Sequence, residues 1–341
     1  MKEQLDPSHI MQTATAFWAS KVLLTAVELD LFTTLGDGQQ SATQLGQALG
    51  LHPRGTYDFF DALVALKFLD RDGDGPEGQY RSTPETAAFL NKKSPTYIGG
   101  LTLMLNSRLF GFWNHLGAAL KTGKPQNEVK DGGKSIFEAL YANQDSLGEF
   151  LDAMTGFQAA NFALLAQKFD FSSYKTVGDV GGALALLSRV VGAHHQHLSF
   201  TSFDLPPVAP LALKHIKAAG MESRIKPIAG DFFKDDLPKA DVITMGNILH
   251  DWNLANKKIL IRKAYDALPD GGAFIAIENV IDDARRDNAF GLLMSLNMLI
   301  EFGDAFDYTG ADFRNWCSEA GFRRFDMIAL AGPTSAVIAY K

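Results

Sequence analysis

A chain of 341 residues is longer than one ordinary hydrophobic core organises, so two domains are expected. Its composition, 46% hydrophobic and 21% charged, is that of a globular protein, and a net charge of −7 argues against a nucleic-acid backbone or an anionic membrane as the main partner. A single cysteine, Cys317, excludes an internal disulfide and any cysteine-based zinc cluster.

The opening MKEQLDPSHIMQ lacks the basic-then-apolar profile of a signal peptide, and no apolar run reaches the ~18 residues of a membrane span. The expected location is the cytoplasm. Residues 17–35 carry apolar side chains at helical spacing and stop at Gly36-Asp37-Gly38. A second helix, 41–51, opens with Ser41 as N-cap, and a third, 52–69, follows a short turn. The stretch 71–84 is dense in Gly, Asp and Pro, and reads as a β-hairpin with a polar tip. Three helices and a hairpin form the winged-helix pattern, which often binds DNA. Here the third helix carries Arg54, Asp58, Asp61 and Lys67, a poor surface for phosphates. The helix 17–35 is apolar around much of its circumference, as a helix buried in a dimer would be. Dimerisation is therefore favoured over DNA binding, and residues 1–97 are assigned to that domain.

Residues 98–170 read as connecting helices rich in large apolar side chains, some of which are expected to line a substrate pocket. From about 171 to the end, strands alternate with helices: 176–180, 198–205, 224–231, 240–249 and 272–281. This is the pattern of a parallel sheet covered on both faces. The last two apolar runs, around Ala331-Gly332-Pro333-Thr334, read as an antiparallel hairpin on the sheet edge. The fold class is therefore α/β, Rossmann-like, preceded by a mostly helical winged-helix domain.

Ligands of open parallel sheets bind beyond the carboxyl ends of the strands. The first strand ends in DVGGALALL (179–187), the second at Asp204, the third at Gly230-Asp231-Phe232-Phe233, the fourth at His250-Asp251-Trp252 and the fifth at Glu278-Asn279. Asp204 suits a ribose diol, because one carboxylate accepts from both hydroxyls. Asp231 suits an adenine amino group while Phe232 covers the ring. Together they describe an adenosine site. The loop Gly181-Gly182-Ala183-Leu184-Ala185-Leu186 does not fit the G-x-G-x-x-G of dinucleotide sites, and S-adenosylmethionine has no pyrophosphate to cradle.

The segments GDFFKDDLPKADVITMGNILHDWN and KAYDALPDGGAFIAIENVI strongly resemble the S-adenosylmethionine-dependent O-methyltransferases of small molecules, the caffeate, acetylserotonin and polyketide type. The resemblance covers nearly the whole chain, including the N-terminal dimerisation domain. It implies a class I methyltransferase domain, S-adenosylmethionine as cofactor and a homodimer. It makes His250 a general base, Glu278 its orienting partner and Asp307 a second acidic partner. Asp204 would hold the ribose, Asp231 and Phe232 the adenine, and Gly181 and Gly182 would let the backbone approach the methionine part. Asp179 and Trp252 are counted with the cofactor site, and Met154, Phe157 and Met298 with the substrate pocket. The implied reaction methylates a hydroxyl, phenolic in kind, of a small aromatic or polyketide-like metabolite.

The chain also departs from that family. The usual run has glycine two, four and six residues after the acid, and here Ala183 and Ala185 replace the second and third. Each methyl disfavours positive φ and sits where a cofactor approaches. An altered loop leaves open a methyltransferase fold turned to pericyclic, decarboxylation or hydroxylation chemistry. The run HHQH (194–197) resembles a metal cluster but falls where a surface turn is expected, so no metal site is assigned. Cys317 reads as packing.

Overall fold

The structure, a computed structural model, describes the backbone of residues 5–130 and 144–341, and their side chains except at 76, 144–146, 149, 150, 152–154 and 157. The chain divides into two compact units, Met1–Gly111 and Phe112–Lys341. The expected connecting segment 98–170 is thus shared between them.

In the first unit, α1 (Ser8–Glu28) begins earlier than its apolar pattern suggests, because the Asp6 carboxylate accepts from the backbone and hydroxyl of Ser8 at 3.0 and 2.7 Å. The single helix expected over 17–35 is in fact two. Asp30 takes a left-handed φ of 59°, and α2 (Leu31–Leu35) restarts beyond it. The break turns Leu31, Phe32 and Leu35 into the same core as Ala26 and Val27, which one straight helix cannot do. Strand β1 (Gln40–Ser41) leads into α3 (Ala42–Ala48), where Ser41 and Gln44 form a reciprocal capping box. Helix α4 (Pro53–Ala65) has proline at its first turn and His52 Nδ1 accepting from the Arg54 amide at 3.2 Å.

The hairpin of β2 (Leu69–Asp72) and β3 (Gln79–Ser82) is present, in a small sheet of order β1-β3-β2. Helix α5 (Pro84–Phe89) follows, and α6 (Gly99–Met104) packs on α1. Phe60, Leu63, Leu69 and Tyr80 complete the core. Ile10, Met11, Phe17 and Trp18 of α1 remain exposed, an apolar row along that helix.

The second unit contains α7 (Leu116–Thr122), α8 (Gln144–Lys168) and the large sheet. Its strands are β4 (Thr176–Val180), β5 (Ser199–Asp204), β6 (Ile225–Ala229), β7 (Val242–Gly246), β8 (Ala273–Glu278), β9 (Arg324–Ala329) and β10 (Ser335–Tyr340). Among the described residues their order is β6-β5-β4-β7-β8-β10-β9, with β10 antiparallel to both neighbours. The sequence of alternating runs thus becomes a parallel sheet closed by an antiparallel edge hairpin.

The intervening helices are α9 (Leu186–His194), α10 (Ala209–Ala218), α11 (Leu254–Ala267), α12 (Ala289–Phe302) and α13 (Gly310–Ala320). One core lies under α11 and α13, with Leu260, Ile261, Phe313 and the buried Cys317. A second lies under α8, α9 and α10, with Phe162, Leu165, Val191 and Ile216. Strand β8, Ala-Phe-Ile-Ala-Ile-Glu, is buried at every position, as a central strand covered on both faces requires.

From β4 the chain steps outward to β5 and β6, then returns to the other side of β4 as β7. That reversal opens a crevice where β4 and β7 end. Among the described residues no helix is long and apolar enough to cross a membrane.

In the first unit, the buried Tyr80 hydroxyl donates to Asp61 at 2.6 Å, and Arg71 pairs with the same oxygen at 2.7 Å. Tyr80→Phe removes one of these partners and is expected to lower unfolding free energy by about 1–2 kcal/mol in denaturant titration.

Candidate active site

The crevice is built first from the loop after β4. Gly181 has φ 71°, and a Cβ there would lie 2.2 Å from Ile248 Cδ1. A Cβ on Gly182 would lie 2.3 Å from Ser202 Oγ and 3.1 Å from Asp179 Oδ2. Both glycines therefore let main chain pass where no side chain fits. Their amides point at the Phe203 carbonyl, at 2.8 and 3.3 Å, so to a ligand they offer space rather than donors.

Ala183 and Ala185 take φ values of 46° and 57°. The loop keeps the left-handed conformation that glycine adopts freely, and two alanines adopt it at a strain of about 1 kcal/mol or more each. Two contacts hold them. The Ala183 amide donates to Asp204 Oδ2 at 2.8 Å, and Ala185 is buried at the start of α9, its amide on the Gly182 carbonyl at 2.7 Å.

Asp204 ends β5 with its other oxygen on the Leu205 amide at 2.7 Å. Burial raises its pKa and these two amides oppose the rise. Each oxygen keeps a lone pair free for a further donor. Asp179 is different. Its carboxylate turns into the core, accepting from Ser188 Oγ at 3.0 Å and Thr244 Oγ1 at 3.1 Å, and burial pushes its pKa up to about 6. Ser188 lies on α9 and Thr244 on β7, so the carboxylate ties β4 to both.

Asp231, after β6, is held by Lys234 at 2.9 Å and accepts from the Phe233 amide at 2.9 Å; the lysine and that amide keep its pKa below the usual range. Phe232, Phe233 and Trp252 meet edge to face, with centroids 4.9, 4.6 and 5.9 Å apart. The structure thus brings Phe232 and Trp252 together as one aromatic wall.

His250 lies on a short turn after β7 and is buried. Its Nδ1 is 3.4 Å from Asp307 and 3.7 Å from Glu278, and its Nε2 is 3.3 Å from Asp251. These are ion-pair separations, long for hydrogen bonds. Nδ1, Glu278 Oε2 and both Asp307 oxygens have no hydrogen-bond partner among the described residues. The donor atoms of His250, Glu278 and Asp307 lie within 4.8 Å of one another, close enough to share a proton or a small cation. The other Glu278 oxygen accepts from the Leu249 amide at 3.0 Å, which fixes the turn to β8.

Burial opposes charge on the imidazole, but Glu278, Asp251 and Asp307 outweigh it and push the His250 pKa up to about 10. Burial raises Glu278 to about 7 and Asp251 to about 6, against the pull of the imidazolium. The structure therefore assembles the three residues His250, Glu278 and Asp307 from β7, β8 and the loop before α13.

Two members of this cluster escaped sequence reading as functional groups. Asp251 sits beside His250, so its adjacency was the available signal. Lys257, on α11, is fully buried, and nothing in NKKILIRKAYDAL distinguishes it from its solvated neighbours. Of the residues expected in the substrate pocket, Met298 is buried on α12, a helix that contacts the His250 turn. Met154 and Phe157 lie outside the described side chains. In HHQH, His195 Nε2 meets the Ala166 carbonyl at 2.7 Å and His197 Nε2 the Phe171 carbonyl at 3.1 Å, so both rings donate to backbone.

Comparison with known proteins places this geometry. An O-methyltransferase domain profile matches residues 113–323, and an O-methyltransferase dimerisation domain profile matches residues 11–92. The chain belongs to the O-methyltransferase family. It is 38% identical over 335 residues, 98% of this chain and 97% of the relative, to the tetracenomycin polyketide synthesis 8-O-methyl transferase TcmO of Streptomyces glaucescens. It is 30% identical to acetylserotonin O-methyltransferase of Bos taurus, over 98% and 97% of the two chains. The crystal structure of human N-acetylserotonin methyltransferase in complex with SAM superposes with a TM-score of 0.90 at 28% identity, covering 100% of this chain and 99% of that one.

The loop makes opposite expectations for its small residues. Gly181→Ala combines a left-handed φ with a 2.2 Å clash and is expected to cost about 2 kcal/mol or more. Ala183→Gly relieves strain at a partly buried site and is expected to be neutral or stabilising by up to about 1 kcal/mol. Thermal denaturation of both variants checks the pair.

Proposed function

We propose that this chain methylates a phenolic hydroxyl of an aromatic, polyketide-like metabolite, with S-adenosylmethionine as methyl donor and His250 as general base. The carrying observation is the buried imidazole caged by Asp251, Glu278 and Asp307 beside the loop at the β4–β7 crevice. The polyketide O-methyltransferase named above supports the acceptor class.

The residues of the crevice fit the cofactor. Asp204 retains acceptor capacity for ribose hydroxyls, Phe232 and Trp252 give an apolar wall beside Asp231 for the adenine, and Gly181 and Gly182 keep open a passage that a Cβ would fill. The cofactor supplies an electrophilic sulfonium methyl. The left-handed loop at Ala183 and Ala185, the conformation glycine adopts freely, supports the methylating reading over a fold turned to other chemistry.

What the chain's own residues do follows from their charges. A phenol, pKa ~10, is a weak nucleophile until its proton leaves. A base of pKa about 10 matches it, so the proton passes between them with little uphill cost. Glu278 and Asp307 on the Nδ1 side hold that proton on Nδ1 and stabilise the imidazolium formed when Nε2 accepts. The exposed apolar row on α1 and the matched dimerisation domain support a homodimer formed through the first unit.

Because the imidazole pKa is raised, the neutral, proton-accepting form grows as pH rises toward about 10. The expected kcat/KM therefore climbs through pH 7–9, and a plateau above pH 7 would contradict the caged base. His250→Ala is expected to lower kcat by about 10²–10⁴-fold while S-adenosylhomocysteine affinity, read by calorimetry, stays within about twofold. Undiminished turnover in that variant overturns the assignment.

A further inference from the structure

Lys257 is the one charged side chain among the described residues with no accessible surface. It stands on α11, one turn beyond the His250-Asp251-Trp252 segment. Its ammonium donates to the Trp252 backbone carbonyl and lies 3.7 Å from the centroid of the Phe306 ring. The charged groups that face it come from three elements: Asp251 on the His250 turn, Glu278 at the end of β8, and Asp304 and Asp307 in the loop after α12. A buried ammonium is costly, and methionine fills a similar volume without that cost. Packing alone therefore gives no reason for a charge at this position. The neighbouring cluster does. It gathers three carboxyl groups around one imidazole in a buried site, where excess negative charge repels itself strongly.

We propose that Lys257 is a positioning residue for methyl transfer, its ammonium anchoring the His250 turn through the Trp252 carbonyl and balancing the carboxylates of Asp251, Glu278 and Asp307 around the imidazole. The proposal rests on the reading of His250 as base. It adds that the cage works only with a cation behind it. A cluster deprived of that cation holds its protons more tightly, whichever group carries them, so the neutral imidazole appears only at higher pH. Burial lowers the Lys257 pKa to about 8, opposed by Glu278, Asp307, Asp251 and Asp304. Above that pH the ammonium loses its charge, and its influence fades.

The test is the pH dependence of kcat/KM for the full-length wild type, Lys257→Met and Lys257→Arg, with His250→Ala as the reference. In Lys257→Met the rising limb is expected to move up by roughly one pH unit or more. That makes the variant about tenfold slower than wild type at pH 7, with the gap closing above about pH 9. S-adenosylhomocysteine affinity is expected to change by less than about twofold. Lys257→Arg keeps the charge and is expected to recover most of the neutral-pH rate. A loss in Lys257→Met that is equal at every pH, or no loss, overturns the proposal while leaving His250 as base if His250→Ala is inactive. An active His250→Ala overturns the underlying reading instead. Should Lys257→Met not fold, Lys257→Gln, which keeps a donor for the Trp252 carbonyl without charge, carries the same comparison; failure of both to fold makes the lysine structural and overturns the proposal.

Discussion

The second unit is organised around one electrostatic constraint, a histidine buried within reach of three carboxylates. An isolated charge so placed would be expelled or neutralised. Here the imidazole and the acids raise or hold each other's charge, and the fold supplies each partner from a different element. His250 and Asp251 come from the turn after β7, Glu278 from the end of β8, and Asp307 from the loop before α13. That arrangement needs β7 and β8 side by side and parallel, so that both end at the same crevice. The sheet order is therefore a condition of the site as well as of the core.

The loop after β4 shows a second balance, between sequence and backbone. Gly181, Ala183 and Ala185 all adopt positive φ, although only the first is free to do so without strain. The conformation is enforced by its surroundings: the Phe203 carbonyl, the Asp204 carboxylate and the buried start of α9. The alanines therefore carry strain that their neighbours hold in place.

Much of the fold could be read directly from the residues. Apolar runs alternating with helical patterns marked β4 to β8 to within a few positions, Ser41 marked a helix start, and the final hairpin followed from its Gly-Pro turn. His250, Glu278, Asp204 and Phe232 could be placed because parallel strands deliver their C-terminal residues to one edge. What escaped depends on side-chain direction and long-range neighbours. The hydrogen bonds from Ser188 and Thr244 to Asp179 join elements distant in sequence, and no local pattern shows them. The break at Asp30 follows from the need to bury Leu31 and Phe32, which outweighs a continuous helical pattern. Lys257 resembles any surface lysine until α11 is seated against the acidic cluster.

The proposed role of His250 requires carboxylates that hold its imidazole as a strong base. Its most direct measurement is the titration of the His250 ring by NMR in histidine-labelled protein, assigned by comparison with His250→Ala. The ring is expected to stay protonated through neutral pH and to titrate near 10. A ring already neutral at pH 7, titrating at or below the ordinary value of about 6.5, would contradict it.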